Sequence, residues 1–375
     1  MEKRKKHKIL FIIMNLCSGG AERVLLNLTR ELDKKKYDIH IFIVKNHIEY
    51  ISEIPEEVTI HYGIEKDKNI YFNFPIILLK LIKIAFNSNR IIGALEYWPT
   101  FLSTFLSIIL FKKCINWVHI DIISHLKNQK FYIKILSKFV YRFTDISICV
   151  SNSNLISFKK NFIHKKSDFI YNIIDFDKIN LLSKEAIPEE DKINYEYIIA
   201  IGRVEYPKDY TSLITAYYNL KKKNNIKEKF LIFGNGSDYK NIITLIDRLG
   251  LNEDVILMGF HENVFKYLKN AKLFIHASYC EGFGLVLLEA LYLGKIVLAA
   301  YKYKHGPFNE VLLNGKCGLI IEEYDNSILE NAILKTLNLS DFEKEKYIQN
   351  GYNRIKDFDK EKIISKWDQI LTGKI

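Results

Sequence analysis

The sequence predicts an α/β protein built of two doubly wound, parallel-sheet domains, and three observations predict it. Short runs rich in Ile, Val and Phe alternate with helix-like stretches along nearly the whole chain, the pattern of strands buried on both faces between helices. At 375 residues the chain exceeds one ordinary core and suits two domains of roughly 100–200 residues each. A charged stretch centred on Pro188, LLSKEAIPEEDKIN at 181–194, separates two such alternations and reads as a linker.

The first domain, 1–180, opens with the strand HKILFIIM and the helix AERVLLNLTRELDKK. Its further strands are DIHIFIV, RIIGAL, CINWVHI, DISICV and DFIYNI. The second, 195–355, carries YEYIIAIG, KFLIFG, VILMGF, KLFIHAS, KIVLAA and CGLII, with helical patterns such as DYTSLITAYYNLKKK between them. Residues 356–375, with DKEKIISKWDQILTG, form a helix expected to pack back on the first domain. In such sheets ligands bind beyond the carboxyl ends of the strands, at a cleft if two lobes face each other, so the loops after the strands carry the chemistry.

Hydrophobic residues make up 48% and charged residues 26%, which excludes a disordered chain. Cys17, Cys114, Cys149, Cys280 and Cys317 are scattered without a Cys-x-x-Cys pair. That excludes a disulfide framework, points away from zinc and favours a reducing cytoplasm. The basic start is followed only by the short apolar run Ile9–Met14, below the roughly 7–15 residues of a secretory signal and better explained as a buried strand. Other apolar runs fall short of the roughly 20 residues that cross a bilayer. The formal charge of +11 falls entirely in residues 1–180. A basic half suits an anionic partner such as a membrane surface, a lipid phosphate or nucleic acid, and equally suits a solvated lysine surface.

The segment HASYCEGFGLVLLEALYLGK runs from a strand through Glu281, Gly282, Phe283 and Gly284 into a helix that is apolar nearly all round. Glu289 is therefore a carboxylate in a buried helix. Ligand hydroxyls or a structural ion pair would each satisfy it, and burial alone leaves the two even. The glycines and the helix start favour a ligand, because free backbone N–H groups and the positive end of the dipole form an anion site. In GRVEYPKDYTSL, Gly202 ends a strand and Arg203 and Lys208 follow in the loop. As a pair they suit a diphosphate; singly, each reads as an exposed cation. The loop FGNGS, with Gly234, and the loop SGGAER, with Gly20, are weaker phosphate candidates, and neither is a Gly-x-Gly-x-x-Gly fingerprint. His119 in WVHID ends an apolar strand, an even choice between a structural histidine and one that bonds a ligand; Asp121 nearby either orients its ring or does nothing.

Taken in order, SGGAERVLLNL, IYNIIDFDKI, GRVEYPKDYTSLITAY, FGNGS through the double-glutamate segment, and GPFNEVLLNGKCGLII resemble the group 1, or family 4, glycosyltransferases, over nearly the whole chain. That family consists of retaining enzymes of the two-Rossmann-domain GT-B fold that use nucleotide-activated sugars. The resemblance implies that Glu281 lies against the donor sugar, Glu289 accepts hydrogen bonds from the ribose, and the backbone of Gly282–Gly284 faces the donor. It implies further that Arg203 and Lys208 hold the diphosphate, Gly20 approaches it, and His119 contacts the transferred sugar. One departure is GPFNEVL, with an extra residue before Glu310, where the family reads Gly-Pro-x-Glu; Glu310, Gly306 and Pro307 are given no role.

From the family also follow retention of configuration, no metal and no cofactor, a UDP-sugar as the commonest donor, and a glycan or lipid-linked glycan acceptor in bacterial capsule, O-antigen or lipopolysaccharide synthesis. Nucleic acid is not an expected partner. The expected location is cytoplasmic and peripheral on the inner membrane face, with NIYFNFPIILLKLIKIAFNS at 69–88 as either a membrane-contacting or a core helix. Two rivals stand beside this reading. One is a nucleotide-sugar epimerase of the same plan, the other a non-catalytic membrane scaffold, against which the intact Arg203, Lys208, Glu281 and Glu289 argue.

Overall fold

The computed structural model describes residues 6–17, 19–49, 51–122, 126, 129–162, 166–304 and 306–374. The chain divides into two compact units, Met1–Ile174 with Phe358–Ile375, and Asp175–Asp357.

The first unit holds a seven-stranded parallel sheet. Its strands are β1 (His7–Ile13), β2 (Tyr37–Asn46), β3 (Thr59–Glu65), β4 (Arg90–Gly93), β5 (Lys113–Val118), β6 (Ile146–Cys149) and β7 (Ser167–Phe169). The order is β3-β2-β1-β4-β5-β6-β7. The chain winds outward from β1, then returns to the other side of β1 at β4, which creates a switch point where the loops after β1 and β4 diverge. Ile9 to Ile13 are wholly buried, as a central strand covered on both faces requires. Strand β3 is absent from the sequence expectation for a physical reason. TIHYGIE lies at the sheet edge with only Gly63 and Ile64 buried, so it carries no continuous apolar run.

Helix Lys360–Thr372 belongs to this first unit. Trp367 is fully buried edge-to-face on Trp117, ring centroids 4.7 Å apart, and Tyr37 Oη donates to Asp368 Oδ1 at 2.6 Å. Trp367→Ala should cost about 3–5 kcal/mol through the cavity it leaves, read as a lower denaturant midpoint.

The second unit holds a six-stranded parallel sheet of β8 (Tyr197–Ile201), β9 (Lys229–Phe233), β10 (Val255–Gly259), β11 (Leu273–Ser278), β12 (Val297–Tyr301) and β13 (Leu319–Glu322). The order is β10-β9-β8-β11-β12-β13, with its switch point between β8 and β11. Each of the six apolar runs singled out in this half forms a strand. The expected linker needs correction: the division falls at Ile174/Asp175, and 181–194 packs within the second unit. Asn263 Nδ2 donates to Leu182 O and Glu185 Oε2, each at 2.8 Å, and Tyr267 Oη donates to Asp191 Oδ2 at 2.8 Å. Two of its acids, Glu185 and Asp191, are met by side chains distant in sequence, so polarity alone misreads it as a spacer. The far boundary lies at Asp357/Phe358, against the expected 355/356.

Candidate active site

The second unit gathers its chemistry at the switch point. Strand β11 is buried along its length, and His276 within it is 4% exposed. Three residues beyond the strand, Glu281 turns back so that its Oε1 lies 2.9 Å from His276 Nε2. The same oxygen pairs with Lys208 Nζ. Lys208 ends a single 3-10 turn, Tyr206–Lys208, stapled to the end of β11: Ser278 Oγ and Tyr279 N each donate to Pro207 O at 2.8 Å. The rings of Tyr206 and Tyr279 stack 5.0 Å apart. Asp209 follows at φ +40°, a left-handed conformation costly for a side-chain-bearing residue. It accepts from Tyr324 Oη at 2.7 Å and caps helix Tyr210–Asn224 through Ser212 N.

Burial alone would raise the Glu281 carboxyl, but the Lys208 ammonium and the His276 N–H hold it down at about 2. Burial and then the Lys208 charge lower the His276 imidazole, so the ring is neutral and donates from Nε2. A carboxyl held below its unfolded value of 4.5 stabilises the fold above that pH and loses the contribution as pH falls toward 2. Wild type should therefore lose its stability advantage over Glu281→Gln between about pH 5 and 2, measured by denaturant midpoints across that range.

Beyond Glu281 the chain enters helix Leu285–Tyr292 through Gly284, whose φ of +87° suits glycine and which leaves the helix start without a side-chain cap. Phe283 is buried, and Glu289 is 8% exposed in a turn where Leu287, Leu288, Ala290 and Leu291 are buried. Gly234 is required by close approach. At φ +138° a Cβ there would lie 2.0 Å from Gly202 O, and Gly202 N donates to Phe233 O at 3.0 Å; the glycines pack the loops after β8 and β9 together. Arg203 forms its ion pair elsewhere than Lys208 does. Its mostly exposed guanidinium lies 3.4 Å from Glu205.

In the first unit Gly20 begins helix Gly20–Glu31 after β1. His119 follows directly on β5 at 9% exposure, its ring centroid 4.5 Å from that of Trp117. Its Nε2 has no hydrogen-bond partner among the described residues, and burial pushes the imidazole down to about 3, so the ring is neutral. Asp121 accepts from Ser157 Oγ at 2.5 Å. Nothing in the sequence singles out His276, a polar residue within a mostly apolar strand, or Glu96, a lone acid after RIIGAL. Glu96 Oε1 accepts from the backbone N–H of His119 at 2.5 Å and of Ile120 at 3.0 Å.

Two features bear on metals. Asp175-Phe176-Asp177 and Asp357-Phe358-Asp359 are Asp-x-Asp triplets. In each, one aspartate caps a helix, Asp175 accepting from Lys178 N at 2.9 Å and Asp359 from Lys362 N at 2.8 Å. Cys17, His47 and Glu49 bring ligand-type atoms within 4.8 Å of one another, a cluster the scattered cysteines did not announce, because its members come from the ends of different strands.

Two doubly wound parallel-sheet units, with a cation–carboxylate pair and an uncapped helix start beyond the strands of one, define the architecture of a GT-B sugar transferase. Residues 183–354 match the model "Glycosyl transferases group 1" and residues 18–178 the model "Glycosyltransferase Family 4". The chain belongs to the group 1/family 4 glycosyltransferases. It is 30% identical, over 95% of its length and 97% of the relative's, to the Campylobacter jejuni N-acetylgalactosamine-N,N'-diacetylbacillosaminyl-diphospho-undecaprenol 4-alpha-N-acetylgalactosaminyltransferase. It is 26% identical over 81% of its length and 84% of the relative's to the Staphylococcus aureus capsular polysaccharide biosynthesis glycosyltransferase CapH. The fold matches Anabaena HepE in complex with UDP and glucose, with a TM-score of 0.81 and 19% identity, over 98% of this chain and 100% of that one.

Proposed function

We propose that this chain is a retaining glycosyltransferase that moves a hexose or N-acetylhexosamine from a uridine diphosphate sugar to a hydroxyl of a lipid-linked glycan, in bacterial surface polysaccharide synthesis. The observation that carries the reading is the Lys208–Glu281–His276 cluster, set beside the helix start at Gly284 at the switch point of the second sheet. Lys208 and Arg203 supply positive charge for the diphosphate and the helix start, which no side chain caps, adds to it, so negative charge on the leaving nucleoside diphosphate is stabilised as the glycosidic bond breaks. Glu281, ionised throughout the neutral range, takes the donor sugar's hydroxyls, and Glu289 those of the ribose. His119, neutral and with an Nε2 that has no partner among the described residues, bonds the transferred sugar. Neither glutamate acts as nucleophile: the acceptor hydroxyl attacks on the face the leaving group vacates, and a donor phosphate oxygen takes its proton.

The Campylobacter relative's name supports a lipid-diphosphate acceptor, and HepE's UDP complex a uridine donor. No helix among the described residues is long and apolar enough to cross a membrane. Helix Ile70–Ala85, in the 69–88 stretch, buries Ile77 and Leu81 and exposes Tyr71, Phe72, Ile76 and Leu79. Helix Phe131–Phe143 exposes Phe131, Ile135, Leu136 and Phe139 near Lys138 and Arg142. With the basic excess of residues 1–180, these faces support peripheral binding to an anionic membrane surface.

The test incubates the protein with UDP-N-acetylgalactosamine, UDP-N-acetylglucosamine or UDP-glucose, with and without undecaprenyl-diphosphate-linked glycan. UDP release that depends on the acceptor is expected from one donor. Conversion of a donor to its epimer without acceptor would replace the reading with the epimerase.

A further inference from the structure

We propose that Glu96 is a positioning residue for sugar transfer, a buried clamp that fixes the strand-end turn carrying His119. The inference rests on the proposed role of His119 toward the transferred sugar.

The clamp begins where β4 ends. Ala94 N donates to Ile12 O at 2.9 Å, and the chain then turns sharply. Tyr97 stands at φ 62°, ψ −118°, a region that residues with a side chain reach only at a cost of about 1–3 kcal/mol and that tends to mark functional turns. The turn is held from the far side, with Thr100 Oγ1 donating to Leu95 O at 2.7 Å and Phe101 N to Tyr97 O at 2.8 Å. Its effect is to send the Glu96 side chain across to the end of the neighbouring strand, β5. There one carboxylate oxygen accepts from two successive backbone N–H groups, those of His119 and Ile120.

A carboxylate is an expensive means of satisfying two N–H groups. Among the described residues, the titratable groups that bear on it are Glu22 on helix Gly20–Glu31, Tyr141 on helix Phe131–Phe143 and Cys149 on β6, none of them a cation. Burial therefore raises its carboxyl, to about 7, although the backbone N–H groups pull the other way. In return the ionised form gives two charge-assisted hydrogen bonds, each roughly twice as strong as a neutral one. A structural cap would ask for no such strength. The second, independent observation is on the residue being clamped, because His119 Nε2 is buried without a partner among the described residues. A rigid backbone turn that presents an unpartnered imidazole nitrogen is what a ligand contact needs.

The test uses the full chain with Glu96→Gln, Glu96→Ala, His119→Ala and the double variant Glu96→Ala/His119→Ala. One arm follows the backbone amides of His119 and Ile120 by NMR. Glu96→Ala should shift both and speed their hydrogen exchange by about tenfold or more, while Glu96→Gln, which keeps an acceptor oxygen, restores most of the protection. The other arm measures acceptor-dependent UDP release from UDP-N-acetylgalactosamine, UDP-N-acetylglucosamine and UDP-glucose, using whichever supports turnover. Glu96→Ala should lower kcat by about 100-fold, the scale of a mispositioned group, with UDP affinity within about twofold of wild type. Glu96→Gln, which keeps the acceptor oxygen, should restore most of kcat along with the amide protection. In the His119→Ala background, Glu96→Ala should have no further effect on kcat, since it acts through that ring.

Additive losses in the double variant, or unchanged His119 and Ile120 amides in Glu96→Ala, would overturn the clamp. Absence of UDP release from all three donors by wild type would instead count against the transfer reading, and the amide signals would still decide whether the clamp exists.

Discussion

Lys208→Met should reduce turnover of a nucleoside diphosphate sugar by about 100-fold or more and should also destabilise the protein, because it strands one member of a mostly shielded ion pair. Both effects follow from the same atoms. The Glu281 carboxylate, with its side chain only 14% exposed, is ionised because Lys208 and His276 compensate it, and Lys208 is the charge proposed for the diphosphate. Without the lysine, the remaining partner able to become positive is His276. Its imidazole should then rise, and the stability deficit should shrink as the pH is lowered. Urea denaturation at pH 8 and pH 5.5 with a UDP-release assay reads all three consequences. A variant that loses activity while keeping wild-type stability at pH 8 would show that Glu281 does not depend on this pairing.

Glu289→Ala should weaken UDP binding by about 10- to 100-fold, since hydrogen bonds to a charged group contribute about 1.5–3 kcal/mol. The fold should survive, because the buried neighbours Leu287, Leu288, Ala290 and Leu291 that seat this helix are unchanged. Calorimetric titration of UDP together with the denaturant midpoint separates the two effects. Unchanged affinity would favour the scaffold reading, in which the fold persists without donor chemistry.

These predictions concern residues that were legible to different degrees in the sequence. The central strands were plain, because continuous apolar runs such as ILFII admit little besides a strand buried on both faces. Edge strand β3 was hidden, since half of it faces water. Lys208 and Glu281 were each visible in a loop after a strand, but their pairing was not: they are 73 positions apart, and only the parallel order β8-β11 brings the two loops together. Arg203 looked equivalent to Lys208 and differs because its side chain turns out toward Glu205. His276 and Glu96 were silent for a common reason. Each is a single polar residue in or just after an apolar run, and its meaning lies in a partner contributed by a loop or by another strand's end. The linker was misread because local charge does not reveal whether Asn263 and Tyr267 lie waiting to bind it.

The central claim is that the second unit grips a nucleoside diphosphate chiefly through its phosphates, with Lys208 and the helix start at Gly284. Calorimetric titration of wild type and Lys208→Met with UDP and with uridine tests it most directly. Wild type should bind UDP at least about 100-fold more tightly than uridine, and Lys208→Met should lose most of that ratio while its uridine affinity stays unchanged. Equal affinities for UDP and uridine in wild type, or a ratio that survives the loss of Lys208, would contradict it.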